Sequence, residues 1–280
     1  MAAFYKDIHE EVQRYFPEFN YSQTSPPAMR SIYCDMSHPN NQVGHQQRAF
    51  TCFWAIQCCG PLDLGLDLGS TRGLTPYCVH VDKYATGRAN PLYGGTDPVW
   101  SDVISDMADL RVFADDCFPY MCSNHSLEHA DVARFLPEGV PRYPNPPPYD
   151  GPVERDAFER WKREVYAEWK EKVLPPWLAD YPKWRDAYDA GVVRMLREEW
   201  VRVLRRPIVR HRPEPGGLLA LCVPDAAYFN VFDADADHKH SWSHDDFRLR
   251  VLDHLLDLVE VLEWDTLQNK YSFNIVMRRK

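Results

Sequence analysis

The chain has 280 residues, a formal net charge of -9 and a hydrophobic fraction of 45%. This length accommodates one large α/β domain, or a core domain that carries an elaboration. Because nucleic-acid binding depends on clustered Lys and Arg that displace counterions, the acidic balance argues against a broad phosphate-binding surface and favours a small or neutral substrate.

The sequence shows no targeting or membrane signal. Met1 to Glu10 contains early acidic residues and no apolar core of a signal peptide, and no run of about 18 apolar residues follows. We therefore expect a soluble, cytoplasmic protein without a membrane partner. The eight cysteines form no CxxC pair and several lie in apolar runs, which predicts reduced core residues in preference to a structural zinc site.

The first elements of the chain are a wrapping segment and a helix. Residues 1–45 are rich in turn formers and aromatic residues, which predicts a segment that wraps the core. From Gln46 to Cys59 the apolar residues recur at helical spacing, and Gly60-Pro61 ends the segment. We predict a helix there.

Short apolar segments then follow, each ending in polar or glycine-containing residues. They predict strands over 62–68, 77–81, 103–104 and 118–122. Strands of this kind suit a parallel sheet that is covered on both faces, in which ligands bind at the carboxyl ends of the strands.

The composition changes between 141 and 214, where a proline-rich stretch at 144–148 precedes five of the nine tryptophans. One predicted helix carries an apolar face and ends at Pro175-Pro176; its face is Phe158, Trp161, Val165, Trp169 and Val173. A second is marked by Val192, Leu196, Trp200 and Val203. We interpret 141–214 as a helical insertion, which could be a lid, a homodimer surface or a hairpin with its own core.

The sheet resumes at 217–223, and a helix with clear start signals follows. Ser243 is a good N-cap with Asp246 three residues later, and Trp242 and Phe247 occupy the positions of a hydrophobic staple. The pattern continues this helix through the apolar residues Val251, Leu255, Leu258 and Leu262. Segments 259–264 and 271–277 can form a closing antiparallel pair.

The turn after the first strand has the features of a nucleotide-like site. Residues 64–73 contain an acid at Asp67, glycines at Gly69 and Gly73, and Ser70 in the turn. Such a turn lets backbone N–H groups approach a ligand. Asp82 ends the second strand, where it can accept hydrogen bonds from ribose hydroxyls, and Asp106 follows the third, where it can meet an adenine amino group. Taken singly, each acid also fits a turn or helix cap.

Together these motifs resemble class I S-adenosylmethionine-dependent methyltransferases. Residues 66–73 are similar to the family's first motif, Val81-Asp82 to its ribose-binding acid, 105–110 to its adenine-contacting stretch and 116–129 to its fourth-strand segment ending in Leu-Glu-His. The resemblance covers about 46–140 and 215–280. It implies a Rossmann-like α/β sheet of seven strands, mostly parallel with an antiparallel last strand, and 141–214 inserted between the fourth and fifth strands.

The resemblance also implies S-adenosyl-L-methionine as the cofactor and a set of residues that bind it. These are Asp67, Gly69, Ser70, Gly73, Asp82, Asp106, Met107, Ser123, Asn124 and His125. One departure is Thr71, which stands where the family commonly has a glycine, and its Cβ narrows the approach to the ligand. Thr71 and Leu74 also break the glycine pattern of a dinucleotide site, which disfavours NAD.

Methyl transfer needs a positioned acceptor and, for a hydroxyl, a base. Three histidines near strand ends are the acceptor-site candidates: His125, His238 and His240. Glu128 and His129 are interpreted as capping and packing residues. An alternative is that Asp237, His238 and His240 hold a metal ion, with Asp233 or Asp235 as further donors.

The sequence thus predicts a methyltransferase that acts on a small-molecule or sugar-containing acceptor, with O-methylation favoured. The alternatives are a methyltransferase-fold scaffold without turnover, a metal-dependent enzyme using the Asp-His-Lys-His loop, and a nucleic-acid methyltransferase. The last derives from Asn145-Pro-Pro-Pro-Tyr149, which resembles an Asn-Pro-Pro-Tyr motif. That segment has an extra proline and lies well past the fourth strand, so a linker fits it better.

Overall fold

The computed structural model describes residues 45–69, 75–87, 99–207, 215–228, 230–234, 237–266 and 272–280. The predicted wrapping segment therefore lies outside the described residues, apart from its last residue. Ser70, Thr71, Gly73 and Asp235 lie outside them as well.

The central element is a seven-stranded mixed sheet with the order β3-β2-β1-β4-β5-β7-β6. Its strands are β1 Gly65–Leu68, β2 Cys78–Asp82, β3 Val103–Ile104, β4 Tyr120–Asn124, β5 Leu218–Pro224, β6 Val259–Thr266 and β7 Ser272–Arg279. Strand β7 runs antiparallel to both of its neighbours, and the other pairs are parallel. The predicted α/β class and antiparallel last strand are confirmed.

Helices flank the sheet and fill the connection between β4 and β5. They are α1 His45–Cys58, α2 Arg155–Trp161, α3 Ala167–Lys172, α4 Leu174–Met195, α5 Val201–Val203, α6 Val231–Ala234 and α7 His244–Arg250. Helix α1 confirms the helix predicted over 46–59. Pro175 and Pro176 occupy the first turn of α4, where a missing N–H costs nothing, so the predicted break before them is also confirmed.

Alternating residues of the strands face two separate cores. Leu66 and Met121 belong to one buried cluster, and Tyr120 and Cys122 belong to another, which Phe50 of α1 completes. Because successive side chains of a strand point to opposite faces, a sheet with both faces covered reads as a continuous apolar run. This explains why these strands show no polar alternation.

The second predicted helix of the segment 141–214 shares a buried core with the sheet. Val192, Met195 and Trp200 belong to the same buried cluster as Leu219 of β5. Helix α4 and its continuation to Val203 thus form the crossover between parallel strands β4 and β5, which such a connection requires. The assignment of 141–214 as a lid or a homodimer surface stays a prediction.

Two helix patterns were wrong in part. The apolar face predicted for the first helix of segment 141–214 is interrupted, because two of its residues, Val165 and Val173, are 39% and 46% exposed. A π-helical turn at Lys162–Tyr166 interrupts the helix, and its wider turn shifts the face that later residues present. Helix α7 ends at Arg250, so Leu262, predicted to continue it, lies in β6.

The start of α7 confirms the predicted cap. The Asp246 backbone N–H donates to Ser243 Oγ at 3.2 Å, and the rings of Trp242 and Phe247 lie 5.4 Å apart in edge contact. The cysteines within the described ranges are free thiols, as predicted. Across the same ranges, the helices fall short of the length and apolar character that crossing a membrane demands.

Candidate functional site

The turn after β1 is pressed against the turn after β4. Gly69 has φ +68°, a conformation that glycine adopts without strain. Its carbonyl oxygen accepts a hydrogen bond from Ser126 Oγ at 3.3 Å, and a Cβ at Gly69 would lie 2.5 Å from Ser126 Cβ. Glycine is therefore required here both by the backbone angle and by the close approach of Ser126.

Two buried carboxylates lie at the ends of adjacent strands. Asp67 in β1 is 5% exposed and Asp82, the last residue of β2, is 6% exposed. Asp82 Oδ1 accepts a hydrogen bond from the Tyr84 backbone N–H at 2.9 Å. Burial raises the pKa of Asp82 to about 6, and the negative charge of Asp67 adds to this effect. The carboxylate of Asp82 is therefore shielded from solvent before any ligand binds.

Asp106 and Met107 follow β3, and Asp106 borders a surface pocket. Asp106 Oδ1 accepts a hydrogen bond from the Ala108 backbone N–H at 2.8 Å, and Met107 O accepts one from Trp200 Nε1 at 2.7 Å. The pocket has a volume of ≈ 270 Å³ and is bordered by Asp106, Ala108, Asp109, Asp131, Ala133, Arg134 and Arg142. The insertion thus fixes the loop that carries the third predicted acid.

The last two residues of β4 carry buried polar atoms that are unsatisfied, and His125 begins the turn that follows. Ser123 Oγ and Asn124 Oδ1 have no hydrogen-bond partner among the described residues. His125 has φ +50°, its backbone N–H donates to Cys222 O at 2.9 Å, and its Nε2 lies 2.7 Å from Ser272 Oγ. Buried polar groups normally find a partner, so Ser123 and Asn124 mark a place where a ligand or water completes the bonding.

The loop after β5 is bound to the turn after β4. The backbone N–H groups of Lys239 and His240 both donate to Glu128 O, at 2.8 and 3.2 Å. The loop also reaches toward the end of β2, where Lys83 Nζ lies 3.9 Å from Asp237 Oδ2. These contacts bring residues from three strand ends to one edge of the sheet.

Asp237 and Lys239 form a buried ion pair in this loop, with Lys239 Nζ 3.2 Å from Asp237 Oδ1. Burial alone would raise the pKa of Asp237, but the ammonium of Lys239 and a hydrogen bond from His129 hold it below its ordinary value. Burial lowers the pKa of Lys239, and the charge of Asp237 opposes that shift.

Around Glu128 the structure assembles a cluster of histidines. Glu128 is 1% exposed, and its Oε1 lies 3.8 Å from His125 Nδ1 and 3.9 Å from His238 Nε2. The rings of His129 and His238 are 4.5 Å apart, and His129 Nδ1 lies 3.3 Å from Asp237 Oδ2. Loss of solvation, with smaller effects of His238 and His129, lowers the pKa of His125 to about 3.

The predicted acceptor-site histidines separate into two groups. His125 and His238 lie together in the cluster around Glu128. His240 is fully buried, its Nε2 lies 2.9 Å from Ala130 O, and its ring stacks on Trp242 at 5.0 Å. Burial lowers the pKa of His240 to about 3. His240 thus sits in the core beside the site: its backbone N–H donates to Glu128 O, but its imidazole lies against Ala130 and Trp242. Its acceptor role stays a prediction.

The described residues bring together one group of potential metal ligands, and it differs from the predicted alternative. Glu128, His129 and His238 each offer a ligand atom within 4.8 Å of the others, whereas the predicted set was Asp237, His238 and His240. The sequence did contain a signal, since Glu128 and His129 follow His125 within one short turn. That turn is the 3-10 helix Leu127–His129.

The segment Asn145–Tyr149, which resembles an Asn-Pro-Pro-Tyr motif, ends in a separate small cluster. Tyr149 packs on Phe158 and Trp161, and its hydroxyl donates to Pro152 O at 2.7 Å. Asn145 Nδ2 donates to Asp131 Oδ2 at 3.1 Å. These contacts fit a linker that leads into α2.

Comparison of the chain with protein-family models, with curated proteins and with solved structures gives no match.

Proposed function

We propose that this protein is an S-adenosylmethionine-dependent methyltransferase that methylates an oxygen of a small-molecule or sugar-containing acceptor. The observation that carries the proposal is the meeting of the Gly69 turn, Asp82 and the Ser123–His125 turn at the carboxyl ends of β1, β2 and β4. Strand β1 has β2 on one side and β4 on the other, which is the switch point where open α/β sheets bind ligands.

The residues at this edge fit the cofactor chemically. The buried carboxylate of Asp82 can accept hydrogen bonds from both ribose hydroxyls, and the Gly69 turn offers backbone close to the cofactor. Asn124 Oδ1, buried without a partner among the described residues, can accept from the cofactor's ammonium. Asp106, which borders the pocket, can accept a hydrogen bond from the adenine amino group. When bound, the cofactor supplies an activated methyl group on a sulfonium.

The protein's task is then to orient the acceptor oxygen and to manage its proton. His125 borders the cluster with a side chain that is 31% exposed, so it can contact a ligand. Because its pKa lies near 3, it stays neutral at pH 7 and is a weak base. We assign His125 to positioning the acceptor through a hydrogen bond.

The experiment is titration calorimetry with S-adenosylhomocysteine and S-adenosylmethionine on the full chain. We expect micromolar binding that Asp82→Ala weakens by at least about tenfold, as the loss of one charged hydrogen-bonding group predicts. Asp245→Asn is the control, because its carboxylate is 92% exposed on α7. No binding at millimolar ligand would overturn the proposal, and binding without transfer to any acceptor would favour the scaffold alternative.

A further inference from the structure

We propose that Glu128, His129 and His238 form a binding site for one divalent transition-metal ion at the acceptor side of the predicted cofactor site. Their ligand atoms lie within 4.8 Å of one another. Two metal–ligand bonds of about 2.1 Å each span up to about 4.2 Å, so one ion can bridge the 3.9 Å between Glu128 Oε1 and His238 Nε2. Small side-chain movements bring in the third ligand.

The orientation of His238 is that of a metal ligand. Its Nδ1 lies 2.6 Å from Val231 O, and since a carbonyl oxygen only accepts, Nδ1 carries the proton. In that tautomer the lone pair is on Nε2, the atom that faces Glu128. Metal-binding histidines commonly donate their other N–H to a backbone carbonyl in this way, which fixes both the ring and the tautomer.

The other histidine has a carboxylate behind it. His129 Nδ1 lies 3.3 Å from Asp237 Oδ2, so this carboxylate is close enough to pair with the imidazole when the imidazole is charged or metal-bound. Asp237 is in turn held by Lys239. Carboxylate–histidine–metal arrangements of this kind strengthen the ligand and are a recurrent feature of metal sites. Asp237 is therefore a positioning residue, and not the ligand that the sequence suggested.

The donor set selects the class of ion. Two imidazole nitrogens and one carboxylate oxygen suit Mn²⁺, Co²⁺, Fe²⁺ or Zn²⁺, whereas Mg²⁺ and Ca²⁺ prefer sites made of oxygen atoms. Three protein ligands leave coordination positions open, as in catalytic metal sites. The side chains are 1% exposed at Glu128, 9% at His238 and 31% at His125, so the open side faces His125.

Binding of the ion does not depend on the proposed function. The role that we give to the ion does rest on that function. An acceptor hydroxyl bound to the ion would have a lowered pKa, so that it could release its proton to water, and it would be held in a fixed direction. His125 stands at the open side and follows Asn124 directly, so the acceptor would lie between the ion and the predicted cofactor.

The test uses the full chain, freed of metal by a chelator, without S-adenosylhomocysteine. Mn²⁺ alone is added and followed by electron paramagnetic resonance, which separates free from bound ion. We expect one Mn²⁺ per chain, and weaker binding of Mg²⁺. Glu128→Gln and His238→Gln are expected to lower Mn²⁺ affinity by more than about tenfold, and Asp237→Asn by roughly tenfold.

His244→Gln is the matched control, because His244 lies on α7 and contacts Asp245 and Trp264 outside the cluster. We expect its Mn²⁺ affinity to be unchanged. Circular dichroism of each metal-free variant checks that it folds. Absence of binding by the wild-type chain at millimolar Mn²⁺, Co²⁺ and Zn²⁺ would refute the proposal, and so would full affinity in both ligand variants.

A second measurement needs no variant. The visible spectrum of Co²⁺ added to the metal-free wild-type chain reports the ligand type, since thiolate ligands add strong charge-transfer bands in the near ultraviolet. We expect ligand-field bands without those charge-transfer bands. Thiolate bands would assign the ion to cysteines and overturn the proposal. A chain that binds Mn²⁺ but not S-adenosylhomocysteine would keep the metal site and remove the methyltransferase.

Discussion

Ser126 Cβ occupies the space that a side chain at Gly69 would need, at 2.5 Å from the position of its Cβ. The contact joins the turns after β1 and β4, which are adjacent strands in the sheet. Gly69→Ala must therefore meet two costs, the left-handed backbone angle and the overlap with Ser126.

We expect Gly69→Ala to destabilise the protein by more than the ~1–2 kcal/mol that a left-handed backbone costs an L-residue. Gly139→Ala is the matched control, because Gly139 has φ +84° and nothing within 4 Å of its Cβ position. Urea unfolding of both variants measures the difference. The double variant with Ser126→Gly relieves the overlap. We therefore expect its loss of stability to be smaller than the sum of the losses of the two single variants. Equal costs for Gly69→Ala and Gly139→Ala would contradict this account.

Asp82 has a pKa of about 6 against an ordinary value of 3.8. Because the folded pKa is raised, the folded protein takes up this proton first, and the contribution of Asp82 to stability rises as pH falls from about 6 to about 4. Above pH 6 its buried charge costs at most about 3 kcal/mol. We expect Asp82→Asn to raise the free energy of unfolding by about 1–3 kcal/mol at pH 7.5 and to change it little at pH 4. Denaturant titrations at the two pH values check this, and a destabilised variant at pH 7.5 would count against it.

The same group predicts how cofactor affinity depends on pH. If the ionised Asp82 binds the ribose hydroxyls, S-adenosylhomocysteine affinity falls as the carboxylate is protonated below its pKa of about 6. One pH unit below that pKa the affinity is expected to be roughly tenfold lower than at pH 7.5. Calorimetry on the wild type and Asp82→Asn measures it, and the variant is expected to bind weakly with no such pH dependence. A flat profile for the wild type would remove Asp82 from the site.

Asp189 links α4 to the segment around α7. Its Oδ1 accepts a hydrogen bond from Trp242 Nε1 at 2.8 Å, and its Oδ2 lies 3.1 Å from Arg250 Nη1. Asp189→Ala leaves a buried indole N–H unsatisfied, and we expect a loss of about 2–3 kcal/mol in the free energy of unfolding. Asp186 also pairs with the Arg250 guanidinium, but its side chain is 91% exposed. We therefore expect Asp186→Ala to lower the free energy of unfolding by less than about 1 kcal/mol. Chemical denaturation of the pair provides the comparison.

Local chemistry made much of this fold predictable from the sequence. The Ser243 cap, the Pro175-Pro176 break and the Gly69 turn each depend on residues next to one another in the chain. The buried strands were found because apolar runs of that length fit a covered sheet. Their starts were less accurate, as for β1, where Gly60 and Asp63 form a bridge and Leu62 is fully exposed.

The histidine cluster was not predictable in the same way. Glu128 and His238 come from loops after different strands, and their approach depends on the pairing of β4 with β5 and on the two hydrogen bonds to Glu128 O. His238 and His240 are equivalent in a sequence pattern, yet their side chains point to different surroundings.

The crossover helix α4 has a consequence for how this chain can change during evolution. Insertions between strands are commonly gained and lost as surface decorations, and their removal leaves the remaining fold intact. Here Trp200 and Met195 complete the interior beside Leu219 and are fully buried. A shortened descendant without residues 141–214 would lose these buried side chains. It would also lose the hydrogen bond from Trp200 Nε1 to Met107 O that holds the loop after β3. The tryptophan-rich segment and the sheet must therefore be inherited together.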